Sequence, residues 1–131
     1  MLGAIIGDIV GSRFEFNNTR SYNFGPLFTN ECQFTDDTIC TVAIADAILN
    51  GSEDYASYLQ SWCGKYPNPM GGYGASFSRW IHDNEAKPYY SFGNGAAMRV
   101  SPVAWATRHS SETIAMAIAT AQISHNHPEG I

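Results

Sequence analysis

Residues 35–50 read TDDTICTVAIADAILN, and this stretch carries the strongest fold signal in the chain. Thr35 is a favourable N-cap, and the acidic side chains of Asp36 and Asp37 suit the positive end of a helix dipole. Apolar residues then recur at helical spacing, at positions Ile39, Val42, Ala43, Ile44, Ala47 and Ile48. Gly51 is a typical helix end. The sequence therefore predicts a helix with one buried face, toward which Asp46 also points.

Outward from this segment, helical spacing recurs between loops that are rich in Gly, Asn and aromatic residues. Further helices are predicted over 2–11, from Ser52 to about Gly64, around 77–81, over 96–107 with a break at Pro102, and over 110–124. Residues 2–11 are apolar around the whole helix, with Gly at every fourth position, which predicts a buried helix that another helix approaches closely. No alternating β-branched run of useful length occurs. The predicted fold class is all-α.

Length and charge limit the classes of function. A chain of 131 residues with 44% hydrophobic residues fits one domain with a real core. Seven Lys and Arg against twelve Asp and Glu give a net charge of −5, which argues against a nucleic-acid backbone as the main partner. The apolar run 2–10 is interrupted by Asp8 and has no basic flank, so it predicts neither a signal peptide nor a membrane span. Three cysteines without metal spacing indicate free thiols and a cytoplasmic protein.

The acidic start of the 35–50 helix is the first candidate site. Thr35, Asp36, Asp37 and Thr38 offer hard oxygen ligands of the kind that Mg²⁺ or Ca²⁺ prefers. Acids in a first helical turn also stabilise the helix without any metal. Adjacent carboxylates repel each other, and a bound cation would relieve that repulsion. On spacing alone, capping and metal binding both remain open.

The other candidates each have a plain structural alternative. Glu15 is either a loop carboxylate at the same site or a solvated acid. The glycine-rich stretches 70–74 and 91–95 either hold phosphate oxygens on bare backbone N–H groups or simply form turns. Phe92 either stacks on a base or packs in the core. His125 either binds a ligand or ends a helix, and its spacing from His127 disfavours a helix-borne zinc pair.

The chain ends at an unusual place. Pro128 followed by Glu129 is typical of a helix start, but only two residues follow. This pattern indicates either a truncated sequence or an ordinary polar tail.

Five motifs, taken in order, carry a family resemblance. They are GAIIGD at 3–8, GSRFE at 11–15, FTDDT at 34–38, GNGAAMRV at 93–100 and SHNHPEG at 124–130. Over essentially its whole length, the chain closely resembles the ADP-ribosylglycohydrolase family, which includes the dinitrogenase-reductase-activating glycohydrolases. The resemblance implies an all-α, multi-helix orthogonal bundle with a two-magnesium site in a cleft between helices.

The resemblance also implies roles for individual residues. Thr35, Asp36 and Asp37 match the first group of metal ligands, and Glu15 matches a mobile-loop glutamate that contacts one metal and gates the substrate. Asp37 and Glu15 are the candidates for orienting or deprotonating the attacking water. The positions that match substrate-binding residues are Gly72, Gly74, Ser91, Phe92, Gly93, Asn94 and His125. Some relatives carry Tyr in place of Phe92, so stacking is retained without the hydroxyl.

One departure from the family pattern limits what this chain supplies. Family members are about twice as long and carry a second acidic motif, Asp-x-Asp-Thr, whereas no aspartate follows Asp83 here. We therefore expect residues 1–131 to form a single domain that is incomplete at its C-terminus and supplies the first half of the site. A second chain or the missing half would complete it.

Two functions follow from the resemblance. The first is Mg²⁺-dependent hydrolysis of the N- or O-glycosidic bond that joins ADP-ribose to a protein side chain or a small acceptor. In that case a nucleic acid would serve only as a modified substrate, and no membrane would take part. The alternative is a helical module that binds ADP-ribose or a protein without catalysis.

Overall fold

The computed structural model describes residues 1–131 and confirms the all-α prediction. Its helices are α1 (Leu2–Gly11), α2 (Asp36–Leu49), α3 (Tyr55–Lys65), α4 (Ala75–Ile81), α5 (Gly95–Met98), α6 (Val103–Ala106) and α7 (Ser110–Gln122). Short 3₁₀ turns follow α1 at Ser12–Phe14 and end the chain at Pro128–Gly130. The one extended pairing is an isolated parallel bridge between Thr35 and Met70. None of the helices combines the length and hydropathy that a membrane crossing needs.

Helix α2 is the centre of the fold, as its sequence predicts. Thr35 caps it by accepting a hydrogen bond from the backbone N–H of Asp37 at 3.2 Å. Helix α3 packs against it but begins later than predicted, because Asp54 rather than Ser52 is the N-cap. The Ser52 hydroxyl instead accepts from the backbone N–H of Asp54 and shapes the preceding turn. Helix α2 therefore starts where its capping signal lies, and the predicted start of α3 is wrong by three residues.

The core lies between α2, α3 and α4, with one residue of α6. Its members are Ile39, Cys40, Ala43, Ile44, Ala47, Tyr55, Leu59, Cys63, Trp80, Ile81 and Val103. The sulfurs of Cys40 and Cys63 are 3.9 Å apart, and all three cysteines are free, as predicted. Asp46 is half-buried beside this core, where its carboxylate accepts from the indole N–H of Trp62 at 2.8 Å. The amphipathic pattern of α2 thus identified the main packing face.

The later helices are tied to this core by polar contacts. The predicted 96–107 helix is divided into α5 and α6 around Pro102, as expected. The hydroxyl of Thr41 on α2 donates to the carbonyl of Met98 at 3.1 Å. The side chain of Gln60 on α3 donates to the carbonyl of Trp80 at 3.2 Å. These bonds position the segments on either side of the candidate site.

Helix α1 is formed as predicted, but the prediction that it is buried is wrong. None of its residues is buried, and Leu2 is 72% exposed. Gly3, Gly7 and Gly11 have no neighbouring atom within 4 Å of the position that a Cβ would take. A pattern of apolar residues shows only that a helix favours burial; here α2 packs against one side of α1, and the other side is exposed. An apolar groove of about 520 Å³ is left between α1, the end of α2 and α6.

Candidate active site

Asp8 fixes the start of α2. Its carboxylate accepts from the backbone N–H of Thr35 at 2.9 Å and from the Thr35 hydroxyl at 2.6 Å. The Thr38 hydroxyl donates to the same carboxylate. These bonds connect α1 to the turn that carries the acidic pair. Sequence reasoning assigned no role to Asp8, although a lone charge within an apolar helix was a usable signal.

Burial and neighbouring carboxylates raise the pKa values of Asp36 and Asp37 at the start of α2. The pKa of Asp36 rises to about 6, mainly because of burial and then because of the Asp37 charge, with smaller contributions from Glu15 and Asp8. Burial and the charge of Asp8 raise the pKa of Asp37. Negative charge is therefore concentrated in one region, which is the electrostatic environment that favours a bound cation.

Glu15 extends from the turn after α1 toward Gly71. A Cβ on Gly71 would lie 2.5 Å from a carboxylate oxygen of Glu15, and the φ of Gly71 is +82°. Glycine therefore meets both the backbone and the space requirement at this position. Gly72, a predicted substrate residue, is the next residue and also has positive φ, but its Cβ position is open.

The donor set near α2 has the ligand type that Mg²⁺ prefers. The hydroxyl of Thr35 and the carboxylates of Asp36, Asp37 and Glu15 are oxygen donors of the right chemistry. No three or more His, Cys, Asp or Glu side chains converge on one metal position. The residues present therefore fit the type of ligand that Mg²⁺ takes, and they supply only part of a coordination shell.

A cavity of about 540 Å³ opens beside the start of α2. Of the residues singled out from the sequence, its lining contains Asp36, Gly74, Ser91, Phe92, Gly93, Asn94 and His125. Gly72, Thr35, Asp37 and Glu15 lie outside the lining, and Thr35 is buried in its capping role. The fold thus brings most of the predicted substrate residues and one predicted metal ligand to the same hollow.

The end of the chain holds the segment 89–95 at this cavity. The backbone N–H of Tyr90 donates to the Asn126 side chain at 2.6 Å, and a Cβ on Gly130 would lie 2.5 Å from the Ser91 carbonyl oxygen. The ring of Phe92 is 69% exposed and has its centre 5.3 Å from that of His127. Phe92 is therefore not a core residue, and its ring is available to a ligand.

His125 lies buried under the Gly93–Gly95 turn. A Cβ on Gly95 would lie 3.3 Å from a ring carbon of His125. Burial lowers the pKa of His125, the charge of Arg99 lowers it further, and a hydrogen bond to the Gly93 backbone opposes the shift. The side chain therefore borders the cavity as a neutral imidazole at neutral pH. Arg99 also borders the cavity, and it donates to the carbonyl of Thr120 at 2.8 Å.

The all-α fold agrees with the family that the sequence matches. The family model for ADP-ribosylglycohydrolase matches residues 1–131. The chain belongs to the ADP-ribosylglycohydrolase family, a class of hydrolases that acts on glycosidic bonds.

A curated relative shows how much of a known protein this chain matches. The chain is similar to the ADP-ribosyl-[dinitrogen reductase] glycohydrolase of Rhodospirillum rubrum, with 31% identity over 147 aligned residues. The alignment covers 97% of this chain and 50% of the relative. The chain therefore spans about half the length of the curated relative that it matches.

Proposed function

We propose that this chain supplies one half of the active site of an enzyme that hydrolyses the bond between ADP-ribose and a protein side chain or a small acceptor. The observation that carries the proposal is the shared cavity of about 540 Å³. Asp36, from the acidic start of α2, faces into it together with Phe92, Asn94 and His125. A hollow of this size lies within the range of small-molecule sites.

The chemistry assigned to the residues follows from their positions. The exposed ring of Phe92 offers a stacking face. The backbone N–H groups of Asn94 and Gly95 offer donors to phosphate oxygens, whereas that of Gly93 already donates to the Ser91 hydroxyl. Cleavage of a glycosidic bond passes through an oxocarbenium-like state, which the negative charge near α2 would stabilise. Asp37 and Glu15 are our candidates for orienting or deprotonating the attacking water.

We further propose that Thr35, Asp36, Asp37 and Glu15 hold Mg²⁺, two ions in the complete site. When bound, these ions would offset the carboxylate charge and bind ribose hydroxyls as Lewis acids. The raised pKa values of Asp36 and Asp37 support a cation at this place. Within the chain itself, Asp8 keeps Thr35 and the acidic pair in position through its hydrogen bonds.

The partner that completes the site is, in our proposal, a second helical unit equivalent to the unmatched half of the relative. Three observations support this partner: the incomplete donor set, the half-length match and the uncovered apolar groove beside α1. Leu49 and Trp105 border this groove and are 84% and 79% exposed. Exposed apolar surface of this kind is typical of an interface.

The test uses Asp36→Ala in the chain reconstituted with the unmatched half of the Rhodospirillum rubrum relative. Release of ADP-ribose from an ADP-ribosylated protein is measured with and without Mg²⁺. We expect wild type to show Mg²⁺-dependent release and Asp36→Ala to abolish it. The matched control is Asp54→Ala, which removes an exposed acid that caps α3. Asp36→Ala with the activity of wild type would contradict the assigned role.

The same experiment tests the second candidate function, a module that binds ADP-ribose without catalysis. One observation favours this function: no three His, Cys, Asp or Glu side chains converge on one metal position. A binding module would retain ADP-ribose affinity, lack turnover under every reconstitution, and lose affinity only modestly in Asp36→Ala.

The free cysteines are the basis for proposing a location. All three thiols are unpaired. Thiols stay reduced in the cytoplasm, so we propose that the protein works there.

A further inference from the structure

Arg99 is a buried charge that the function described so far does not use. It lies just after α5 and is 1% exposed. One terminal nitrogen of its guanidinium donates to the Thr120 carbonyl at 2.8 Å, and it is also 3.4 Å from the Ala121 carbonyl. Both carbonyls belong to the last turn of α7, where the helix dipole favours a cation. Burial of a charge is costly unless polar partners compensate for the lost hydration, and these carbonyls are such partners.

The same terminal nitrogen also donates to Ser124, and this bond determines the direction of the hydrogen bond between Ser124 and His125. Arg99 donates to the Ser124 hydroxyl oxygen at 2.8 Å. An arginine can only donate, so the serine oxygen is the acceptor and its hydrogen remains free. The Ser124 oxygen lies 2.8 Å from Nδ1 of His125, to which that hydrogen can be given. This arrangement makes Nδ1 the acceptor and leaves the ring proton on Nε2, whereas the reverse arrangement would leave the Ser124 hydrogen without an acceptor.

The Nε2 side of the ring faces the glycine turn at the cavity. A Cβ on Gly95 would lie 3.4 Å from Nε2, and a Cβ on Gly93 would lie 4.0 Å from it. A proton on Nε2 therefore faces this turn. The series of contacts therefore runs from Arg99 through Ser124 and His125 to the segment 91–95 that lines the cavity.

We propose that Arg99 is a positioning residue that acts through Ser124 to hold His125 in its Nε2-protonated form and thereby fixes the glycine turn of the ligand cavity. The identity of the ligand as ADP-ribose rests on the function proposed above, whereas the hydrogen-bond order does not. Arginine suits this buried place because its guanidinium is more weakly hydrated than a lysine ammonium.

The first measurement is the ¹⁵N chemical shift of the His125 ring nitrogens, which distinguishes the protonated from the unprotonated nitrogen. The variant is Ser124→Ala, which removes the donor to Nδ1 and leaves the backbone unchanged. We expect Nδ1 to be unprotonated in wild type and the ring to become a mixture of tautomers in Ser124→Ala. An unchanged tautomer in Ser124→Ala would overturn the proposal.

The matched control is Thr120→Val. The Thr120 hydroxyl is equally buried and donates to the Ala117 carbonyl at 2.8 Å, but Arg99 uses only the Thr120 carbonyl. This variant therefore removes a buried hydroxyl near Arg99 without breaking the series of contacts. We expect its His125 tautomer to match that of wild type. A tautomer shift in Thr120→Val as large as that in Ser124→Ala would show that the loss of any buried hydroxyl near Arg99 perturbs the ring. That result would overturn the proposal.

The second measurement is ADP-ribose affinity by titration calorimetry. Loss of one ordering hydrogen bond predicts a weakening of about three- to tenfold in Ser124→Ala and in Arg99→Met, with Thr120→Val close to wild type. Ser124→Ala carries the test if Arg99→Met does not fold. A tautomer shift without a change in affinity would overturn the positioning role. Absence of binding by wild type would instead overturn the proposed function and leave the tautomer result standing.

Discussion

Two hollows of this chain have nearly the same volume and opposite character. The cavity beside the start of α2 measures about 540 Å³, and the groove beside α1 about 520 Å³. The first is lined by an acid, glycine turns, exposed aromatic rings and a buried histidine, and the chain's own end holds its rim. The second is lined almost wholly by apolar side chains. Size alone therefore does not identify a ligand site, because the polar groups that converge on it decide what it can bind.

The two sides also differ in what holds them together. On the cavity side, segments far apart in sequence are connected by directed hydrogen bonds, such as that of Tyr90 to Asn126. On the α1 side, the apolar surface of the helix lies open, and the carboxylate of Asp8 anchors the helix to α2. Asp8 thus belongs to both regions: it holds the exposed helix and positions the acidic start of the site.

Truncation of one leucine in the core and of one leucine at the groove should give the largest difference in the free energy of unfolding. Leu59 is fully buried, whereas Leu49 is 84% exposed beside the groove. Leu59→Ala should lower the free energy of unfolding by about 2 to 5 kcal/mol, because it leaves a cavity in the core. Leu49→Ala should change it by less than about 0.5 kcal/mol. Urea denaturation of the isolated chain gives both values, and equal losses would show that the groove is already covered, for instance by self-association.

The next effect tests the anchor between the regions. Asp8→Asn replaces a carboxylate that accepts from the backbone and hydroxyl of Thr35 with an amide that has one acceptor fewer. We expect a loss of about 2 to 3 kcal/mol in the free energy of unfolding, because polar groups at the α2 start lose their partners. The control is Asp54→Asn, at an exposed cap whose carboxylate accepts two hydrogen bonds, against three for Asp8. If the two substitutions cost the same by thermal unfolding, Asp8 is an ordinary cap and not an anchor.

The contrast between the regions also explains what could be predicted from sequence. The position of α2 was predictable because its cap and its apolar spacing agree, and both are local. The burial of α1 was predicted wrongly because apolar spacing does not show whether another element is present to cover it. Most cavity residues were found through motifs. The roles of Asp8, Arg99 and Ser124 were not, because each depends on hydrogen bonds between segments that sequence alone does not bring together.

A smaller effect concerns the charge that the cavity side concentrates. The pKa of Asp36 is raised to about 6 from its ordinary value of 3.8, so the folded protein holds this proton more tightly than the unfolded chain does. The resulting stability is fully present below about pH 4 and is lost as the pH rises through about 6. Because Asp36 is partly solvated, we expect its contribution to be about 1 to 2 kcal/mol.

Unfolding of wild type and Asp36→Asn in metal-free buffer, followed between pH 4 and pH 7, isolates this contribution. The difference in stability between the two proteins should change across that range, in the direction that favours the variant at higher pH. Acids that do not interact with Asp36 affect both proteins alike and cancel in the difference. A difference that stays constant with pH would show that the charge of Asp36 is already compensated within the folded chain.

The smallest effect distinguishes the cost of backbone strain at Gly71 and Gly72 from the effect of displacing Glu15. Gly71 and Gly72 have φ values of +82° and +76°, so alanine at either should cost about 1 to 2 kcal/mol of stability. Only at Gly71 would the new Cβ meet the Glu15 carboxylate, at 2.5 Å, and this flexible side chain can move away at little cost in stability. Gly71→Ala and Gly72→Ala should therefore unfold alike but differ in Mg²⁺ affinity by calorimetry. We expect a loss of about three- to tenfold only in Gly71→Ala, since moving one charged ligand costs about 1 kcal/mol. Equal affinities would remove Glu15 from the proposed metal ligands while leaving Asp36 and Asp37 in place.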